Sequence, residues 1–146
     1  MSDNAKNKKS TRHEERVEAF YLLFEQLFQK DNVVEILIED AKDARDAEIG
    51  VYTRTLVAGV EEKREELDKI IEANLKGWKL RRLSRVSLTI LRMAVYEMLY
   101  VDAVPVSVAI NEAVEIAKEY ATPADGAFVN GVLGSVAKQT GKSGEE

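Results

Sequence analysis

Residues 81–101 constrain the fold more than any other stretch, because as a helix they leave no polar stripe. From Leu88 onward, Leu88, Ile90, Leu91, Met93, Ala94, Val95, Tyr96, Met98, Leu99 and Tyr100 point in every direction of a helical wheel. Only Thr89, Arg92 and Glu97 interrupt them. A surface helix keeps one face polar, whereas a helix apolar all round is buried. The apolar part makes a rod of about 20 Å, too short and too charged to span a bilayer. It is therefore expected to be the central, mostly buried helix of a soluble all-α domain.

The remaining chain supplies helices to cover it. Its 146 residues suffice for one domain with a real core. Thr11-x-x-Glu14 fits a capping box, opening a helix to about residue 29 with Val17, Phe20, Phe24, Leu27 and Phe28 on one face. Asp31-Asn32 starts a second, with Val34, Leu37, Ile38 and Ala41 at helical spacing. A third begins near Ala47, and its seam of Ile49, Tyr52, Leu56, Val60, Leu67, Ile71 and Leu75 holds phase for seven turns. Gly59 lies inside it at a cost of ~1 kcal/mol against Ala, which implies close helix contact or a bend. Gly77-Trp78 ends this helix, and Trp78 is expected to anchor the linker against a bundle.

Pro105 disfavours helix in the residue before it and suits the first turn of the next helix. There Val106, Ile110, Ala113, Val114 and Ala117 are expected inside, with Asn111, Glu112, Glu115, Lys118 and Glu119 outside. Thr122-Pro123-Ala124-Asp125 starts the last helix, which buries Val129, Val132, Leu133 and Val136. No segment alternates as a strand would. The pattern predicts six to seven helices in one domain over 10–138, a flexible polar arm over 1–9 and a flexible tail over 139–146.

Catalysis finds no foothold in these residues. Cysteine is absent, which excludes disulfides and thiolate metal sites. The single histidine, His13, has no second His or Cys with which to hold a metal. Glu61-Glu62 and Glu65-Glu66 lie on the polar side of an amphipathic helix. Gly126, Gly131 and Gly134 match neither a dinucleotide nor a P-loop pattern, so helix packing explains them better. No nucleophile stands beside a base. No enzymatic activity, cofactor or metal is expected. The polar N-terminus has no apolar leader segment, so a cytoplasmic rather than secreted or membrane-bound protein is expected.

Charge points elsewhere. The net charge of -5 conceals two basic segments: residues 1–16 hold five bases against three acids, and residues 76–92 hold six bases and no acid. The second segment either decorates a linker and neutralises acidic faces nearby, or awaits an external anion. A helix N-terminus is already positive, so Arg81, Arg82 and Arg85 crowd there at a cost unless an anion joins them. The same two readings apply to Lys8, Lys9, Arg12, His13 and Arg16. Phe24 and Phe128 flank these groups, and each is either core or a platform for an unpaired base.

Several segments together resemble one known family. They are Arg16 with Ala19-Phe20 and Leu23-Phe24, then Leu56-Val57-Ala58-Gly59-Val60, Trp78-x-Leu80-x-x-Leu83 and Ile90-Leu91-Arg92-x-Ala94-x-Tyr96-Glu97. The most specific are Val104-Pro105-x-x-Val108-Ala109-Ile110-Asn111-Glu112-Ala113-Val114-x-x-Ala117-Lys118 and Phe128-Val129-Asn130-Gly131-Val132-Leu133. In order and without large gaps over residues 11–137, they are similar to the NusB family of bacterial transcription antitermination factors.

The resemblance implies about seven helices as two three-helix bundles packed roughly at right angles, with no enzymatic activity. It also implies binding to the single-stranded boxA element of nascent ribosomal RNA together with NusE, a small-subunit ribosomal protein. The pair would join an RNA polymerase antitermination complex. The family's Arg-rich N-terminus corresponds to residues 8–16, and its stacking aromatics to Phe24 and Phe128. This chain departs from the family in carrying His13 and Glu14-Glu15 where further bases are expected, and Phe24 lacks a phenol hydroxyl. Weak binding to RNA alone and tighter binding with NusE are therefore expected. A related domain precedes rRNA cytosine methyltransferases, but a chain stopping at Glu146 is not expected to act as one. The rival reading is a helical interaction module with incidental RNA contact. Monomer and homodimer both stay open.

Overall fold

The computed structural model describes residues 10–28 and 49–141. They form five α-helices: α1 Arg12–Gln26, α2 Val51–Ala73, α3 Arg85–Tyr100, α4 Val106–Tyr120 and α5 Pro123–Thr140, with a 3-10 turn Leu80–Arg82 ahead of α3. No strand occurs among the described residues. Five helices thus stand against an expected six to seven. The expected helix over 31–41, the start of the third helix near Ala47, and Lys8 and Lys9 lie outside the described residues. No helix among the described residues is long and apolar enough to cross a membrane.

Local chemistry explains most of the helix ends. Thr11 accepts from the Glu14 N–H at 3.0 Å, and the Glu14 carboxylate accepts from the Thr11 N–H at 2.9 Å, completing the capping box. Ser84 caps α3 through the Ser87 N–H, and Thr122 caps α5 through the Asp125 N–H. Pro105 is the residue before α4 rather than part of its first turn. α2 is different: Gly50 offers no side-chain cap. The carboxylate of Glu15, on α1, accepts from the Tyr52 N–H at 2.9 Å instead. The Thr53 hydroxyl donates to the Glu15 carbonyl at 2.9 Å, so one helix caps another.

α3 packs against each of the other four described helices, as its all-round apolar surface requires. Ile90, Leu91, Met93, Ala94, Val95 and Met98 are buried, and the predicted α2 seam from Ile49 to Leu75 is buried in full. Gly59 meets the expectation of close contact, because a Cβ there would overlap the Tyr96 ring. Gly126 also sits against α4, at Lys118 and Val114, whereas a Cβ at Gly131 or Gly134 would meet open space, so packing does not account for those two.

Two other expectations need correction. Trp78 does not anchor the linker; it is 54% exposed. On α4 the buried stripe is Val106, Ala109, Ala113, Ile116 and Ala117, while Ile110 and Val114 are only half-buried. Both sets satisfy helical spacing, and only the direction from which α3 and α5 approach selects between them.

Ile116→Ala is therefore expected to cost about 2–5 kcal/mol, as deletion of buried aliphatic bulk does. Ile110→Ala should cost less. Urea unfolding of both variants ranks them, and a larger loss at Ile110 would reverse the assignment of faces.

Candidate nucleic-acid interface

The N-terminal basic group divides into one surface cation and one interior cation. Arg12 is exposed, with its guanidinium 4.1 Å above the Tyr52 ring. Arg16, one turn on, is only 4% exposed. Its Nε donates to Glu97 Oε2 at 2.8 Å, and its Nη1 lies 3.8 Å from Glu112. The Tyr52 hydroxyl donates to the same Glu97 oxygen. Arg16 therefore does not share the solvent face expected for it beside Arg12. Its charge is satisfied inside the protein by a carboxylate 81 residues away. His13 Nδ1 lies 2.6 Å from Glu112 Oε1, so Glu112, expected on the outer face of α4, instead ties α4 to α1.

The basic segment at 76–92 divides in the same way. Arg92 is held by Asp68 through two parallel bonds of 2.8 and 2.9 Å, the bidentate fork a guanidinium makes with a carboxylate. Arg81, Arg82 and Arg85 are exposed, and none forms an ion pair among the described residues. They ring the N-terminal end of α3, where the helix dipole is positive as well. No carboxylate of the described residues answers this concentration of charge.

Aromatic rings border it. Phe24 is half-buried, stacked on Phe20 at 5.9 Å and in edge contact with Phe28 at 5.2 Å. Phe28 is 54% exposed, and the Arg85 guanidinium lies 4.6 Å over its ring. Phe128 is half-buried and lines a cleft of about 260 Å³ together with Trp78 and Arg82. Packing thus brings Phe24, Phe128 and the three free arginines to one end of the molecule. Sequence reasoning missed Phe28 and Trp78 as functional residues. Both look like core by residue type, and the available signal was position: each lies just past a helix end, where packing partners run out.

A model of the NusB family matches residues 13–138. The chain is 43% identical over 131 residues to the transcription antitermination protein NusB of Clostridium novyi, covering 87% of this chain and 98% of that protein. It is 44% identical to the NusB of Ruminiclostridium cellulolyticum, with coverage of 87% and 88%. Among solved structures it is similar to T. maritima NusB, with a TM-score of 0.79, 36% identity and coverage of 90% and 94%. It is also similar to a chain in a crystal structure of antitermination factors NusB and NusE in complex with dsRNA, with a TM-score of 0.77, 26% identity and coverage of 89% and 99%.

Removing either member of the interior pair strands the other, so Arg16→Ala and Glu97→Ala should each cost about 3–5 kcal/mol in urea unfolding. The double variant should cost clearly less than their sum. Additive losses would mean the two residues act separately. The Tyr52 phenol is held above its usual 10.0 by burial first, then by its hydrogen bond to Glu97 and the Glu97 charge. Because the folded value exceeds the unfolded one, this contribution is whole below pH 10 and lost as pH rises through the folded value. Tyr52→Phe should abolish that part of the alkaline loss. An unchanged alkaline profile would remove the phenol from the account.

Proposed function

The chain belongs to the NusB family of transcription antitermination proteins, and we propose that it does this work by holding boxA single-stranded RNA of rRNA transcripts together with NusE. The complex so formed joins RNA polymerase in the cytoplasm, and the chain's part in it is binding rather than catalysis. The observation that carries the proposal is the end of the molecule where Arg81, Arg82 and Arg85 stand without carboxylate partners beside exposed or half-exposed rings. Cations without partners suit phosphates, which set affinity and register, while rings suit unpaired bases. Lys8, Lys9 and Arg12 extend the phosphate path along α1. Phe24 and Phe128 supply the stacking faces. His13 and Arg16 act behind this surface, fixing α1 against α3 and α4. The same proposal includes a helix within residues 31–41, completing two three-helix bundles set roughly at right angles.

A titration of a boxA oligomer, with and without NusE and over a range of salt, tests this reading. Affinity should rise when NusE is present, and equal affinity would sink the coupling. Each phosphate contact on a single strand contributes about 0.7 to the slope of log affinity against log salt. Arg82→Ala should flatten the slope by about that amount. Phe24→Ala should weaken binding by about 1–3 kcal/mol with the slope unchanged. If it lowers thermal stability and leaves binding intact, that ring belongs to the core alone. A chain that binds NusE with no salt-dependent RNA affinity would be the protein-interaction module instead.

A further inference from the structure

We propose that the cleft between Trp78 and Phe128 receives one unpaired nucleobase of the bound strand. This inference rests on the RNA-binding role above and gives that role a defined pocket. The cleft, of about 260 Å³, has the two rings as walls and Arg82, Ser84, Ser87 and Asp125 around them. Pockets for drug-sized ligands start at about 300 Å³, so this space suits a single planar ring system.

The backbone holds the indole out. Lys76 and Gly77 have φ of 53° and 95°, two successive left-handed residues that end the α2 segment and turn the chain outward. A Cβ at Gly77 would meet nothing within 4 Å, so the glycine serves the backbone turn and not packing. Trp78 follows directly and is 54% exposed.

The polar atoms suit a base edge. Ser87 is 2% exposed, and its hydroxyl forms no hydrogen bond within the described residues. No side-chain polar atom sealed from solvent lacks a partner, so this hydroxyl opens to the cleft. Buried polar groups are normally paired, and a base edge would supply the missing partner. One Asp125 oxygen accepts from the Thr122 hydroxyl at 2.9 Å, leaving the other for an N–H of the base. Arg82 forms no ion pair among the described residues and borders the same opening, where the adjoining phosphate would lie. Rings on two sides, a hydroxyl and a carboxylate at the edge, and a free cation at the mouth together match a nucleotide. An aliphatic side chain would leave the polar groups unmet.

Trp78 is the sole tryptophan of the chain, so its emission reports on this cleft alone. The full chain is titrated with a short boxA-like single-stranded RNA carrying a fluorescent end label. Anisotropy of the label follows binding, and indole emission follows the cleft. Quenching is expected to track binding. In a series of oligomers each carrying one abasic residue, quenching should vanish at one position, and affinity there should fall about 5- to 150-fold. Trp78→Ala should show a loss of the same size with an unchanged melting curve, and Trp78→Phe should recover part of it. Binding without any change in emission, with Trp78→Ala within about twofold of the unaltered chain, overturns the cleft proposal and leaves the RNA reading standing. Quenching by NusE alone, with no further change on adding RNA, assigns the cleft to protein and overturns it too. Absence of RNA binding in any condition sinks both readings. Should Trp78→Ala fail to fold, the abasic series on the unaltered chain still decides.

Discussion

The interior pair of Arg16 and Glu97 sets the geometry on which the rest of the structure depends. Both are nearly sealed from solvent, at 4% and 2% exposure. Moving an ion pair out of water costs several kcal/mol per ion, and only good geometry with further hydrogen bonds offsets that. Those bonds come from Tyr52 on α2, while Glu112 on α4 adds a second carboxylate near the guanidinium. The pair therefore acts across four helices at once. Its effect is on register more than on net stability: any slide of α1 along α3 would leave a buried charge unpaired. With that register fixed, Arg12 projects over Tyr52 at one end of α1 while Phe24 and Phe28 lie at the other, near Arg85.

A second constraint follows from what the cations are paired with. Arg16 and Arg92 are taken up by Glu97 and Asp68 and serve the fold. Arg81, Arg82 and Arg85 have no such partner and crowd a helix end that is already positive. A chain of net charge -5 has carboxylates to spare, yet none of the described ones reaches them. Local charge left unneutralised within an acidic protein favours one defined anionic ligand over general polyanion binding. The surrounding rings, among them a tryptophan held outward by a left-handed turn, turn an electrostatic patch into a surface able to take bases as well.

Much of the fold was legible from residue order alone. The capping box at Thr11, the proline and aspartate after Thr122, the α2 seam and the all-round apolar α3 are local signals, since each depends on residues within a few turns of one another. Family membership was legible too, because long motifs such as 104–118 survive as strings. The candidate site was legible only in part. Residue types marked Arg81, Arg82, Arg85, Phe24 and Phe128 correctly as exposed or half-exposed groups, but they also placed Arg16 beside Arg12 on the surface and Trp78 against a bundle.

By itself, then, the sequence determined that the chain is helical, where most helices begin, which helix is central and which family it belongs to. Tertiary structure decided the fate of each charge and each ring. Arg16 and Arg12 are equivalent by spacing, and so are the α4 stripes containing Ile110 or Ile116; what separates them is which neighbour approaches from which side. Those neighbours lie 81 residues away for Arg16 and 24 for Arg92. A side chain's burial and partner are properties of such distant contacts, and no window of local sequence contains them.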